Sequence, residues 1–148
     1  MIRRGVLPLL LALSYQFAAQ PQAPWYGTWE VRPQNSAYKR VTTTIRPWED
    51  GLKVTYEMVG VRGGVTHWEW TGRLDGRDYP VEGADNVLTN AYRKLDERSY
   101  EIVIKLEGVT TAVARVATAS DGKSLNVTTE EKLPGGQTRN TVAVYQRK

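Results

Sequence analysis

Fifteen consecutive residues, THWEWTGRLDGRDYP from Thr66 to Pro80, hold the only histidine of the chain, two of its five tryptophans and three carboxylates. His67 and Glu69 stand two residues apart, the spacing that puts two side chains on one face of a strand. There a carboxylate can orient an imidazole for proton transfer, or both groups can ligate a metal. A metal needs at least one further nitrogen or oxygen donor, and the chain has no second histidine and no cysteine. The structural alternative is a strand that ends in an Asp75-Gly76 turn. Its alternation sets Trp68, Trp70 and Leu74 on one face with Thr66 and Gly72, and His67, Glu69, Thr71 and Arg73 on the other. The histidine is thereby separated from the tryptophans, and an exposed cross-strand pair is its expected role. A barrel enzyme would use His67 with Glu69, Asp75 or Asp78. No catalytic or metal-ligating residue is assigned, and no cofactor is expected.

Other chemistries find less support. Glu57 and Glu69 could face each other on neighbouring strands as a glycosidase pair, but both belong to the face opposite the apolar set, where solvation accounts for them. Ser36, Ser99, Ser120 and Ser124 lie outside any Gly-x-Ser-x-Gly setting. The glycines sit in hairpin positions, which excludes a phosphate loop between strand and helix. Asn126-Val127-Thr128 matches a glycosylation triplet. Basic residues are scattered singly or in short pairs such as Lys39-Arg40 and Arg93-Lys94, so a surface that tracks nucleic acid is disfavoured.

The elements that position these residues are legible from turns and alternation. Asp50-Gly51, Gly63-Gly64, Asp75-Gly76, Glu82-Gly83, Glu107-Gly108, Asp121-Gly122 and Pro134-Gly135-Gly136 recur along the chain. Such pairs supply the positive backbone angles of tight hairpins, and regular spacing of this kind marks an all-β sandwich or barrel. Between the turns, Leu52, Val54, Tyr56 and Met58 alternate with Lys53, Thr55 and Glu57, and Tyr100, Ile102, Ile104 and Leu106 alternate with Glu101, Lys105 and Glu107. Further strands are expected over 25–32, 40–47, 66–74, 109–118, 124–132 and 139–147. In DNVLTNAYRKL the apolar residues Val87, Leu88, Ala91, Tyr92 and Leu95 also fit a helix face capped by Asp85, so 86–95 reads as strand or helix. The expected fold is all-β, an antiparallel up-and-down meander of about 8–10 strands. Closure into a barrel removes the exposed edges that a cysteine-free exported domain has reason to avoid.

The chain opens MIRRGVLPLLLALSYQFAAQPQAPW, in which Arg3 and Arg4 precede an apolar run from Val6 to Leu13 and then small residues. This is the layout of an export signal, expected over 1–19, with 20–24 as lead-in and 25–148 as a single domain. As an uncleaved anchor, Val6 to Ala19 falls short of the roughly 20 apolar residues that span a bilayer. Export to the periplasm or medium is the expected localisation, with no stable membrane anchor after cleavage. The formal net charge of +4 then loses the two charges of Arg3 and Arg4.

The first strand begins Trp25-Tyr26-Gly27-Thr28-Trp29-Glu30-Val31 and the last reads Val142-Ala143-Val144-Tyr145-Gln146-Arg147. A Gly-x-Trp opening a barrel, with a tyrosine and a basic residue closing it, resembles the calycin group, and most closely the small lipocalin-like proteins exported by bacteria. The resemblance implies that Trp29 seals the barrel base beneath Arg147, with Gly27 beside them, as a structural contact. It departs from the lipocalins in stopping three residues after Tyr145, with no closing helix. It departs from the fatty-acid-binding proteins in that Arg32 to Lys39 leaves no room for two helices, and Ala143 stands where their carboxylate-binding arginine lies.

The expected function is binding of a small, largely apolar ligand in the lumen. Tyr56, Trp68, Trp70 and Tyr145 are its expected walls, and Arg115, read on the inward face with Val113, its polar anchor. The inward set also takes in Met58, Ile102 and Ile104. The alternative is a cell-envelope module with a filled barrel that meets a protein partner through Trp25 and Trp48, near strand ends.

Overall fold

A computed structural model of the protein describes residues 22–148; the segment read as an export signal lies outside the described residues. Ten antiparallel strands follow one another without a crossover. They are β1 Gly27–Val31, β2 Tyr38–Trp48, β3 Gly51–Gly60, β4 Val65–Gly72, β5 Asp75–Glu82, β6 Leu88–Asp96, β7 Ser99–Leu106, β8 Val109–Thr118, β9 Ser124–Lys132 and β10 Thr138–Arg147. Each strand pairs with its sequence neighbour, and β10 returns to β1, so the sheet closes into an up-and-down barrel. No helix occurs among the described residues. The architecture is consistent with a lipocalin-like fold.

The hairpins form where the sequence can take positive φ. Glu107 and Gly108 lie at φ 50° and 79°, the pair of left-handed residues that a two-residue turn needs to match strand twist. The ambiguous segment resolves as a strand: β6 runs in register with β7 from Leu88↔Leu106 to Asp96↔Ser99. Period two wins there because Leu88, Asn90 and Tyr92 face inward together, whereas a helix would have turned Asn90 away from Leu88 and Tyr92.

One turn falls elsewhere than expected. The corner after β4 is at Arg73–Leu74, and Asp75-Gly76 already belongs to β5, whose pairing with β6 slips between Asp75 and Asp78. The Asp-Gly pair serves this irregularity: Asp75 accepts a hydrogen bond from the Arg77 N–H at 3.0 Å while Gly76 takes φ 76°. The seam between β4 and β5 is correspondingly short, in register only at Glu69↔Glu82 and Trp70↔Val81.

The core gathers at one end of the barrel, the floor. Trp25, Trp29, Trp70, Tyr92, Ile45, Leu52 and Val54 are its largest fully buried side chains. The rings form a ladder: Trp70 stacks on Tyr92 at 4.0 Å, Tyr92 on Tyr100 at 5.4 Å, and Trp25 meets Tyr100 edge-on at 5.3 Å.

Candidate functional site

The site follows from what lies above that floor. Tyr56, Trp68, Leu88, Ile104, Val127 and Tyr145 point inward and pack against the core, yet remain partly exposed. They form an apolar ring at mid-height in the lumen. The wall opposite the aromatics is built from small residues, Ala112 and Ala114 of β8 with Thr129 of β9 and Ala143 of β10, so the bore is not filled from both sides. Between ring and floor lies a cavity of about 70 Å³ lined by Thr43, Ile45, Tyr56, Ile102, Val127 and Tyr145, among others. At roughly 30 Å³ per water, it admits a pair of waters or a group of a few heavy atoms.

The polar content of this region is phenolic. The hydroxyls of Tyr56 and Tyr92 are hydrogen-bonded at 2.8 Å. Burial pushes the Tyr56 phenol up to about 12, and it raises those of Tyr92, Tyr100 and Tyr145 as well. All four stay neutral donors at any physiological pH. Beside them, Asn90 is buried with its Oδ1 lacking a partner among the described residues. The cavity therefore offers apolar walls and neutral hydroxyls, with no charged group among its lining residues.

The residues expected as walls divide. Tyr56 and Tyr145 line the cavity. Trp68 belongs to the partly exposed ring. Trp70 is 0% exposed and sits in the floor, its indole N–H shared between the carbonyls of Tyr79 at 3.2 Å and Asn90 at 3.1 Å. Arg115 lies on the outer face, its side chain 69% exposed and 3.5 Å from Glu101, so it is not in the lumen. The alternation of β8 runs through Ala112, Ala114, Val116 and Thr118 as the buried set, which turns Val113 and Arg115 outward. The inward positions of β8 are small, which leaves space for the aromatics across the bore.

Gly27, Trp29 and Arg147 come together at the floor. The Arg147 guanidinium lies 4.1 Å over the Trp29 ring and donates to the carbonyls of Tyr26, Pro24 and Gly122 at 2.8, 3.0 and 2.8 Å. Gly27 takes φ 139°, and a Cβ there would stand 2.3 Å from Arg147 Nη1. Only glycine lets the guanidinium pass. Trp25, read as a surface contact, is instead buried in the floor, and its indole N–H has no partner among the described residues. Trp48 does stay exposed, at 41%, beside Lys53 at 4.7 Å.

The carboxylates of Thr66–Pro80 do not converge. Glu69 pairs with Lys53 at 2.6 Å, Asp75 accepts from the Tyr79 hydroxyl at 2.8 Å, and Asp78 pairs with Lys105 at 2.8 Å. The Arg77 backbone N–H holds the Asp75 carboxyl below its usual value. His67 is exposed on the outer face opposite Glu57 in the register of β3 and β4. Tyr92, Tyr100 and Asn90 also face inward, outside the set of walls that the sequence predicts. The alternation of Tyr100 with Ile102 and Ile104 contained the signal for the second.

Compared with known proteins, the chain matches no family model and no curated protein.

Proposed function

We propose that the protein is an exported lipocalin-like barrel that binds a small, largely apolar molecule in its lumen. The observation that carries this reading is the inward ring of partly exposed Tyr56, Trp68, Ile104, Val127 and Tyr145 above a sealed aromatic floor. Such a cup with a few neutral hydroxyls selects uncharged or weakly polar ligands, because a charged group would lose its hydration without gaining a counter-ion. The cavity of about 70 Å³ holds only the end of such a molecule; the rest lies against the ring. Export rests on Arg3-Arg4 and the Val6–Leu13 run.

The test is native mass spectrometry of the exported protein, followed by titration with straight-chain alcohols of increasing length under tryptophan emission. Each methylene that enters the cup should tighten binding about fourfold, from ~0.8 kcal/mol per buried CH₂, until the cup is full. Val127→Trp, which fills the cavity from β9, should abolish the series. A chain-length dependence that is flat, with no retained ligand, would sink the proposal.

A second reading, an envelope module that meets another protein through its outside, is supported by the exposed Trp48 beside two cations. Trp48→Ala should then weaken capture of that partner while leaving alcohol binding unchanged.

A further inference from the structure

The inward face of one strand pair changes character from floor to rim. In the register of β9 and β10 the facing inward pairs are Leu125↔Tyr145, Val127↔Ala143, Thr129↔Thr141 and Glu131↔Arg139. Leu125 is buried in the floor, and Val127 and Tyr145 line the cavity. The threonines add hydroxyls, and the last step is an ion pair in which Arg139 Nε donates to Glu131 Oε2 at 3.1 Å. Because inward positions recur every second residue, the ion pair stands roughly 13 Å above the Val127–Ala143 step. On β3, by contrast, Leu52, Val54 and Met58 are apolar and buried from bottom to top, with only the Tyr56 hydroxyl among them. Polarity rises toward the rim along β9 and β10 and not along β3.

The barrel is open sideways at the same place. β1 and β10 are in register only at Trp29↔Arg147 and Glu30↔Gln146, and β1 ends at Val31. Above that point Thr141 on the inward face and Val142 on the outward face are both exposed. The gap is a cleft of about 700 Å³ between the β1–β2 connection, residues 32–36, and the inward side chains of Glu131, Arg139 and Ala143. Ala143 lines this cleft and stands opposite Val127 of the cavity, so the two spaces share a wall.

We propose, resting on the reading of the lumen as a ligand cup, that the ligand is an amphiphile with a neutral, hydroxyl-bearing head. Its chain lies in the cup and its head in the side cleft, against Glu131 and Arg139. A wholly apolar ligand reaching this height would strip water from the threonines and the ion pair without replacing their hydrogen bonds. A head in the cleft replaces those bonds and keeps its own outer side in water. The pair has room for it: Arg139 gives both Nε and Nη2 to Glu131 Oε2, which leaves Glu131 Oε1 and Arg139 Nη1 without a partner among the described residues. One acceptor and one donor side by side match a diol, whose hydroxyls both give and take hydrogen bonds. Net charge of either sign is disfavoured, since an anion meets Glu131 and a cation meets Arg139. Arg32, the other charge of the cleft, is turned to Glu30 at 3.6 Å.

The test is titration of the exported protein, followed by tryptophan emission, with probes that share one chain and differ in the head: 1-decanol, 1-O-decylglycerol, decyl sulfate and decyltrimethylammonium. The glycerol ether should bind about tenfold more tightly than 1-decanol, the gain from a hydrogen bond to a charged group, and the two ions should gain nothing. Glu131→Leu combined with Arg139→Leu removes the pair without stranding a charge, and should bring the affinities of the glycerol ether and 1-decanol together. Glu131→Gln should turn the preference to decyl sulfate, and Arg139→Gln to decyltrimethylammonium. If 1-decanol does not bind, the cup reading fails and this one with it. If 1-decanol binds but the glycerol head adds nothing, or adds as much in the double variant, the cup stands and the head subsite is overturned. An ion that outbinds the glycerol ether on the parent protein overturns it as well.

Discussion

The two ends of the barrel are made by the same alternation and have opposite properties. At the floor the inward positions carry Trp29, Trp70, Tyr92, Tyr100 and Leu125, all buried, and Arg147 ties the entering chain to three carbonyls. Toward the other end the inward positions of β8 to β10 shrink to Ala112, Thr129, Thr141 and Ala143, and the outward ones include exposed Val142 and Val144. The bore is fixed by strand number and tilt, so side-chain volume alone decides where it is solid and where it is a cup. Stability should therefore reside at the floor, and binding at the open end.

The largest effect expected from this contrast is at Trp70. It is fully buried, stacked on Tyr92 and bonded through its indole. Trp70→Ala should cost roughly 3–5 kcal/mol in urea unfolding, the range for a large aromatic deleted from a packed core. Val127→Trp at the cup should change stability far less while removing ligand binding. If the two variants lost stability equally, the division into floor and cup would be wrong.

The second effect is a pH dependence set by buried phenols. The folded value of Tyr56 lies at about 12 against an ordinary 10.0, and those of Tyr92, Tyr100 and Tyr145 are raised also, chiefly by burial. A raised phenol holds its proton in the folded state while the unfolded chain releases it. Stability is therefore whole below pH 10 and falls as pH rises through the folded values. For Tyr56 the full loss is on the order of 2–3 kcal/mol. Absorbance at 295 nm should show these phenols ionising together with unfolding, and Tyr56→Phe should make the alkaline decline shallower.

The third lies at the seal. Arg147→Lys keeps the charge over Trp29 but cannot reach the carbonyls of Pro24, Tyr26 and Gly122 together, and should cost about 1–2 kcal/mol. Hydrogen exchange should locate the loss in the first residues of β1 and in the turn before β9. Uniform loss across the barrel would make the contact one packing interaction among many.

Much of this was readable beforehand, for identifiable reasons. Strands β2, β3 and β7 to β10 follow runs in which β-branched or aromatic residues alternate with charges, the direct signature of a half-buried strand. β5 was hidden because Asp75-Gly76 is a turn pair that here builds a bulge, and Pro80 further masks the strand. Arg115, expected inward with Val113, faces out because Ala112 and Ala114 take the inward positions of β8 and leave room for rings from across the bore. Trp25 stands near a strand end, a place that predicts surface, yet the chain folds back to put it on Tyr100. These misses share a cause: each depends on what lies across the barrel, which period two within one strand does not report.

The smallest expected effect belongs to the residue that drew attention first. His67 is exposed, faces Glu57 across β3 and β4, and has Trp68 and Trp70 turned to the other side of the sheet. Glu57 is itself 3.6 Å from Arg40, and Glu69 is held by Lys53, so neither carboxylate is free to orient the imidazole. His67→Ala should change stability by less than about 0.5 kcal/mol, as surface substitutions do. It should also leave the alcohol series unaltered. A change there would mean that the outer face of β4 communicates with the cup through Trp68. The route would be the close packing of Gly83 on the His67 carbonyl, where a Cβ would stand 2.3 Å away. Gly83→Ala then separates the two cases: it should disturb Trp68 and the cup while His67→Ala does not.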